Sequence, residues 1–135
     1  FLENNYTREE MKMVWETHKI LDENISVNPT AVRVPVLVGH AESIYIETEK
    51  EIDIELAKNC LNEFAGISVI DDIQEIDFPT SFEHGHGTDD VYVGRIRKGL
   101  SKNNSLNLWV VADNVRKGAA LNSIQIAENL VGSEM

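Results

Sequence analysis

The sequence predicts an α/β fold of the α+β kind: one domain over residues 1–135, with a mixed sheet carrying helices on one face. Three observations predict it. The β-branched runs outnumber what a helical bundle could use. Amphipathic helical spacing is confined to a few stretches. No internal repeat or Pro/Gly-rich linker divides the chain, and 135 residues that are 42% hydrophobic and 26% charged suit a single core.

The elements follow in order. Thr7 with Glu10 is a capping-box pair, and Met11, Val14, Trp15, His18 and Leu21 recur at helical spacing, predicting a helix over 7–22. Asn28-Pro29-Thr30 ends that pattern. The runs AVRVPVLVGH (31–40) and SIYIET (43–48) predict strand with an interruption. Asp53 is an N-cap for a helix over 53–65 whose inner stripe is Ala57, Cys60, Leu61 and Phe64, and Gly66 stops it before a short strand from Ile67 to Ile70. From Asp71 to Asp90 the chain is acidic and aperiodic, which predicts a long surface connection. VYVGRIR (91–97) and LNLWVVA (106–112) read as strands. Residues 117–131 read as a last helix with Ala120, Ile124, Ala127 and Val131 on one stripe.

Charge and cysteine usage narrow the function classes. Twelve Lys and Arg against 23 Asp and Glu leave a net charge of −11, so nucleic acid and anionic membranes are poor partners. The single cysteine, Cys60, excludes an internal disulfide and reads as core, and no apolar run approaches the ~20 residues of a membrane span. The expected location is cytoplasmic. Phe1 stands within a few residues of a helix signal, an expectation that the chain is a piece of a larger protein.

Arg33 and His40 lie in an otherwise apolar run, where a fixed cation calls for a carboxylate and an imidazole can act as acid or base near neutral pH. From the residues alone the favoured reading is the plainer one, a structural ion pair for Arg33 and a hydrogen-bonded sheet histidine for His40. Glu9 and Lys12 stand side by side on the first helix, a spacing that by itself reads as a solvated face laced with weak ion pairs. His84 and His86 have no third ligand at metal-binding spacing, so no metal is expected. Trp15 and Trp109 read as packing residues.

Four segments in order, YTREEMKMVWETHKIL, VRVPVLVGHAESIYIE, GTDDVYVGRIRKGLS and LNLWVVADNVRKGAALNSIQIAENLV, resemble the C-terminal, catalytic and dimerisation part of bacterial aspartate-semialdehyde dehydrogenase. The resemblance implies a mixed, largely antiparallel sheet like the glyceraldehyde-3-phosphate-dehydrogenase-like C-terminal domain. It also implies an NADP-dependent reduction of aspartyl phosphate to aspartate semialdehyde with release of phosphate, on the way to lysine, methionine and threonine. It casts His40 as the acid–base catalyst, Arg33 and Glu9 as substrate-binding, Lys12 as phosphate-binding and Asn114 as an NADP contact. The family's nucleophilic cysteine motif and Gly-rich dinucleotide fold have no match here, so the chain alone is expected to be inactive. A homodimer through the sheet is implied, with Tyr92, Val93, Ile96, Leu108 and Trp109 as apolar surface, and with 115–135 the terminal helix that packs on the nucleotide-binding domain. The alternative is a free-standing, non-catalytic dimerisation or carboxylate-binding module. Arg33 and His40 are seven residues apart, so a straight strand at ~3.3 Å per residue would put them on opposite faces; the resemblance requires a bend around Pro35 to Gly39.

Overall fold

The computed structural model describes residues 1–132 and divides into two compact units, Phe1–Pro35 and one beginning at Val36. In the first, α1 (Arg8–Ile20) starts at the predicted capping box: Thr7 Oγ1 accepts the Glu10 N–H at 3.2 Å, while the Thr7 N–H donates to Glu10 Oε2 at 2.7 Å. These bonds satisfy donors that a helix start leaves open. The other Glu10 oxygen accepts the Ala31 N–H at 3.0 Å, tying the extended segment after the helix back to its first turn. The Ala31 and Thr7 amides together hold the Glu10 carboxyl below its usual range. His18 Nε2 meets the Ile25 carbonyl at 2.8 Å, closing the turn beyond the helix. Trp15, expected to pack, is half exposed.

The second unit is built on a four-stranded sheet in the order β1-β4-β3-β2: β1 (His40–Glu47), β2 (Ile67–Val69), β3 (Val91–Lys98) and β4 (Ser105–Ala112). β4 pairs antiparallel with β1 and β3, and β2 runs parallel to β3, so the sheet is mixed and largely antiparallel as expected. Its core face carries Val93, Ile96, Leu106 and Leu108, flanked by Ile44, Val69, Val91 and Val110. Ile54, Ala57 and Leu61 of α2 (Ile54–Glu63) pack on that face. The α2 start follows the prediction, with Asp53 accepting the Leu56 N–H at 2.9 Å. On the opposite face, residues of the 71–90 connection meet the sheet: Trp109 donates its indole N–H to the Pro79 carbonyl at 3.0 Å, and the His84 ring lies tilted against Tyr92 with centroids 4.8 Å apart.

Strict alternation along VYVGRIRK would point Ile96 away from Val93. The ladder instead shifts register between Gly94 and Arg97, where Arg95 and Ile96 together oppose Leu108. This bulge returns Ile96 to the core face, so both Val93 and Ile96 are buried. Arg95, at φ 56°, sends its N–H to Asp71 Oδ1 at 2.6 Å and places its guanidinium 4.9 Å from the Phe78 ring centre. Asp71 is also paired with Lys58 of α2 at 2.8 Å, which raises the lysine pKa through that hydrogen bond.

Several expectations are corrected. Residues 31–39 form no strand: Pro35 cannot donate to a ladder, and Val32, Val34, Val36 and Leu37 are exposed, so β-propensity there has no sheet to act in. Cys60 is exposed rather than core, because of the predicted stripe only Ala57 and Leu61 join Ile54 against the sheet, and Phe64 lies beyond the helix end. Val93, Ile96 and Leu108 are buried inside the chain's own core, while Tyr92 and Trp109 face the other side, so these five side chains are not one docking surface. The last helical stretch begins with a π-helical turn, Arg116–Ala120, and continues as α3 (Leu121–Gly132). Its predicted stripe of Ala120, Ile124, Ala127 and Val131 is exposed, and the end of the 115–135 segment, residues 133–135, lies outside the described residues.

Candidate active site

In the first unit, Glu9 and Lys12 share the exposed side of α1 with Nζ 3.6 Å from a carboxylate oxygen. Three residues of helix set that spacing, and both groups stay in water, where such a pair contributes little to stability. Arg33 is exposed and follows Ala31, the residue pinned by Glu10. Among the described residues it has no carboxylate within ion-pair reach, so the structural ion pair allowed by the sequence is not formed. A guanidinium left open in water is available to a ligand carboxylate.

In the second unit, His40 is the first residue of β1, opposite Ala112 near the end of β4. The preceding Gly39 adopts φ +85°, and its N–H donates to Asn114 Oδ1 at 3.1 Å. A Cβ added at Gly39 would lie 2.7 Å from the Gly85 carbonyl oxygen, so the 80–88 loop presses directly on this backbone. That loop is internally tied: His84 N–H to the Thr80 carbonyl at 2.9 Å, Gly85 N–H to the Ser81 carbonyl at 3.2 Å, and Thr88 Oγ1 to the His84 carbonyl at 2.7 Å.

Asp113 completes the arrangement. It is 5% exposed and accepts the N–H groups of Gly87 at 2.7 Å, Val115 at 2.9 Å and Arg116 at 3.1 Å. The Gly87 amide first, then those of Arg116 and Val115, hold its carboxyl below the usual range, with the nearby His86 ring adding to the effect. Asp113 thus joins the loop to the end of β4 while Asn114 joins β4 to the start of β1.

The structure therefore brings Glu9 beside Lys12, and Asn114 against the backbone that presents His40. Sequence reasoning passed over Asp113 and Gly85, and named Gly39 only as one end of the bend that the resemblance requires. An acidic residue just ahead of the last helical stretch was the available signal for Asp113, since a carboxylate there can collect amides at a helix entry. The groove between α2 and residues 71–74, lined by Glu55, Lys58, Asp71 and Gln74, includes none of the candidate residues. Among the described residues no three His, Cys, Asp or Glu side chains converge as a metal site would require.

Comparison with known proteins gives this geometry a context. A family profile described as semialdehyde dehydrogenase, dimerisation domain, matches residues 1–117. The chain belongs to this family. Within the semialdehyde dehydrogenases, an aspartate-semialdehyde dehydrogenase of Shewanella violacea is 57% identical over 132 residues, covering 97% of this chain and 38% of the relative. That of Aquifex aeolicus is 53% identical over the same share of each chain. A crystal structure of aspartate semialdehyde dehydrogenase II from Vibrio cholerae, complexed with ASA, superposes with a TM-score of 0.93 at 52% identity, covering all of this chain and 40% of the other. The chain thus spans about two fifths of the length of these semialdehyde dehydrogenases. The profile's span includes Glu9, Lys12, Arg33, His40 and Asn114.

Proposed function

We propose that the chain works as the C-terminal part of an NADP-dependent aspartate-semialdehyde dehydrogenase, a cytoplasmic homodimer that converts aspartyl phosphate to aspartate semialdehyde and phosphate. In this reading Arg33 binds the substrate carboxylate through its planar fork, Glu9 holds the substrate's amino end and Lys12 offers a compact positive charge to phosphate. His40 takes and returns a proton at its imidazole as the acyl group changes hands. NADPH, when bound, supplies the hydride. The donor set fits a cofactor contact at one point: with Asn114 Oδ1 taken by Gly39, its Nδ2 has no hydrogen-bond partner among the described residues and can donate to the cofactor. The nucleophilic cysteine belongs to the rest of the enzyme, since Cys60 lies on the exposed side of α2.

The observation that carries this reading is the match along the whole chain to an aspartate semialdehyde dehydrogenase complexed with ASA. It favours the enzyme over a free-standing module. The test is steady-state kinetics of the full-length dehydrogenase carrying this segment. His40→Ala should lower kcat by about 100-fold or more, and Arg33→Leu should raise KM for aspartate semialdehyde by about tenfold or more. Lys12→Ala should raise KM for phosphate in the oxidative direction. Unchanged kinetics in the first two variants would overturn the assignment.

A further inference from the structure

The geometry points to Asn114 as a positioning residue for His40, acting through the backbone of Gly39, whatever contact its amide also makes with a cofactor. This inference rests on the proposed role of His40. Gly39 lies immediately before His40 and is held from two sides. Its N–H donates to Asn114 Oδ1 at 3.1 Å, and its Cα faces the Gly85 backbone so closely that an added Cβ would stand 2.7 Å from the carbonyl oxygen. At φ +85° the chain turns there in a conformation that other residues rarely hold, so the direction in which His40 leaves the turn depends on what fixes this peptide. Asn114 follows Asp113, whose carboxylate grips Gly87 on the loop that presses on Gly39. Two consecutive residues at the end of β4 therefore hold the start of β1 and the flanking loop. Asp113, Asn114, Gly39, Gly85 and Gly87 form a closed frame around the backbone of the proposed acid–base residue. A side chain reserved for a cofactor would leave both ends of its amide to the ligand; here the oxygen end is already committed inside the protein.

The test compares Asn114→Leu, which removes the acceptor, with Asn114→Asp, which keeps one, in the full-length dehydrogenase. His40→Ala serves as reference. Displacing the imidazole by a fraction of an ångström to one ångström should lower kcat about 10- to 100-fold in Asn114→Leu. Asn114→Asp should recover most of that loss while its KM for NADP stays raised. Hydrogen–deuterium exchange at the Gly39 amide gives a readout independent of activity. Protection should fall about 2- to 12-fold in Asn114→Leu, the range expected for loss of one ordinary hydrogen bond, and return in Asn114→Asp.

A raised KM for NADP with unchanged kcat in Asn114→Leu would overturn the inference, as would equal loss of kcat in the two variants or Gly39 protection that ignores the substitution. Should Asn114→Leu not fold, the Asp variant decides: a protected Gly39 amide with kcat well above that of His40→Ala supports the positioning role, and an unprotected amide ends it. If His40→Ala keeps full kcat, the proposed function fails, while the exchange measurement still reports whether Asn114 holds Gly39.

Discussion

Replacing Gly39 by alanine tests the frame around His40 at its tightest point. Two penalties follow from the structure. An alanine at φ +85° costs about 1–2 kcal/mol because its Cβ crowds the following carbonyl. The same Cβ would stand 2.7 Å from Gly85 O and 3.0 Å from Gly85 Cα, and both are backbone atoms that cannot rotate away. Relief requires the two segments to part, which breaks the Gly39 to Asn114 hydrogen bond at a further cost of about 1 kcal/mol. The expected loss is about 3 kcal/mol, or a fall in Tm of about 10 °C for a chain of this size. Gly87→Ala is the control: its φ of +72° carries the same conformational penalty, but an added Cβ meets nothing within 4 Å. Thermal unfolding followed by far-ultraviolet circular dichroism should show Gly39→Ala falling well below Gly87→Ala, with kcat of the full-length enzyme depressed only in the former. Equal Tm values for the two variants would refute the claim that contact with Gly85 shapes this turn.

Other outcomes follow from features on the same unit and on α1. The folded pKa of Asp113 is depressed, so its contribution is complete above the unfolded carboxylate value of about 3.9 and is lost as pH falls through the lower folded value; urea titrations should show Asp113→Asn flattening that acid-side slope. Thr7→Ala removes the acceptor for the Glu10 amide and should cost about 1 kcal/mol, seen as reduced α1 helicity in chemical-shift measurements. Lys58→Met leaves the nearly buried Asp71 without its cation and should cost about 2 kcal/mol by denaturant unfolding, a figure reduced for the partial exposure of the lysine. Cys60 should react with a thiol reagent in the folded protein at close to the rate of a small-molecule thiol, and protection until unfolding would contradict its exposure.

Elements governed by local chemistry were legible in the sequence. The Thr7 and Asp53 caps placed α1 and α2 within a residue or two, and the β-branched runs placed β3 and β4 almost to the residue. What escaped depends on partners distant in the chain. Residues 31–39 have a strand's composition, yet no neighbouring strand accepts them. Cys60 shares the helical spacing of Ala57 and Leu61, but which edge of that stripe touches the sheet is a matter of how the helix is set down. The candidate site divides in the same way. Residue types flagged Arg33 and His40, whereas the bond that holds Gly39 spans 75 residues and is invisible to any local pattern. The glycine closing the apolar run before His40 was the one local hint, since glycine there marks a backbone that must turn sharply.

The bulge in β3 has a consequence for how this sheet tolerates changes of length. With Arg95 and Ile96 together opposing Leu108, one of the two is surplus to the ladder. Deleting Arg95 would let Ile96 take the place across from Leu108 on the core face, and the pairings of Arg97 with Asn107 and Lys98 with Leu106 would continue unbroken. A one-residue deletion inside a central strand ordinarily inverts everything beyond it. Here it would return the strand to regular pleating. What the deletion would release is the 71–78 segment, which loses both the amide that binds Asp71 and the guanidinium over Phe78. The extra residue behaves as a detachable tether: the sheet can do without it, while the start of the long connection would be left with Lys58 on Asp71 and Trp109 on Pro79.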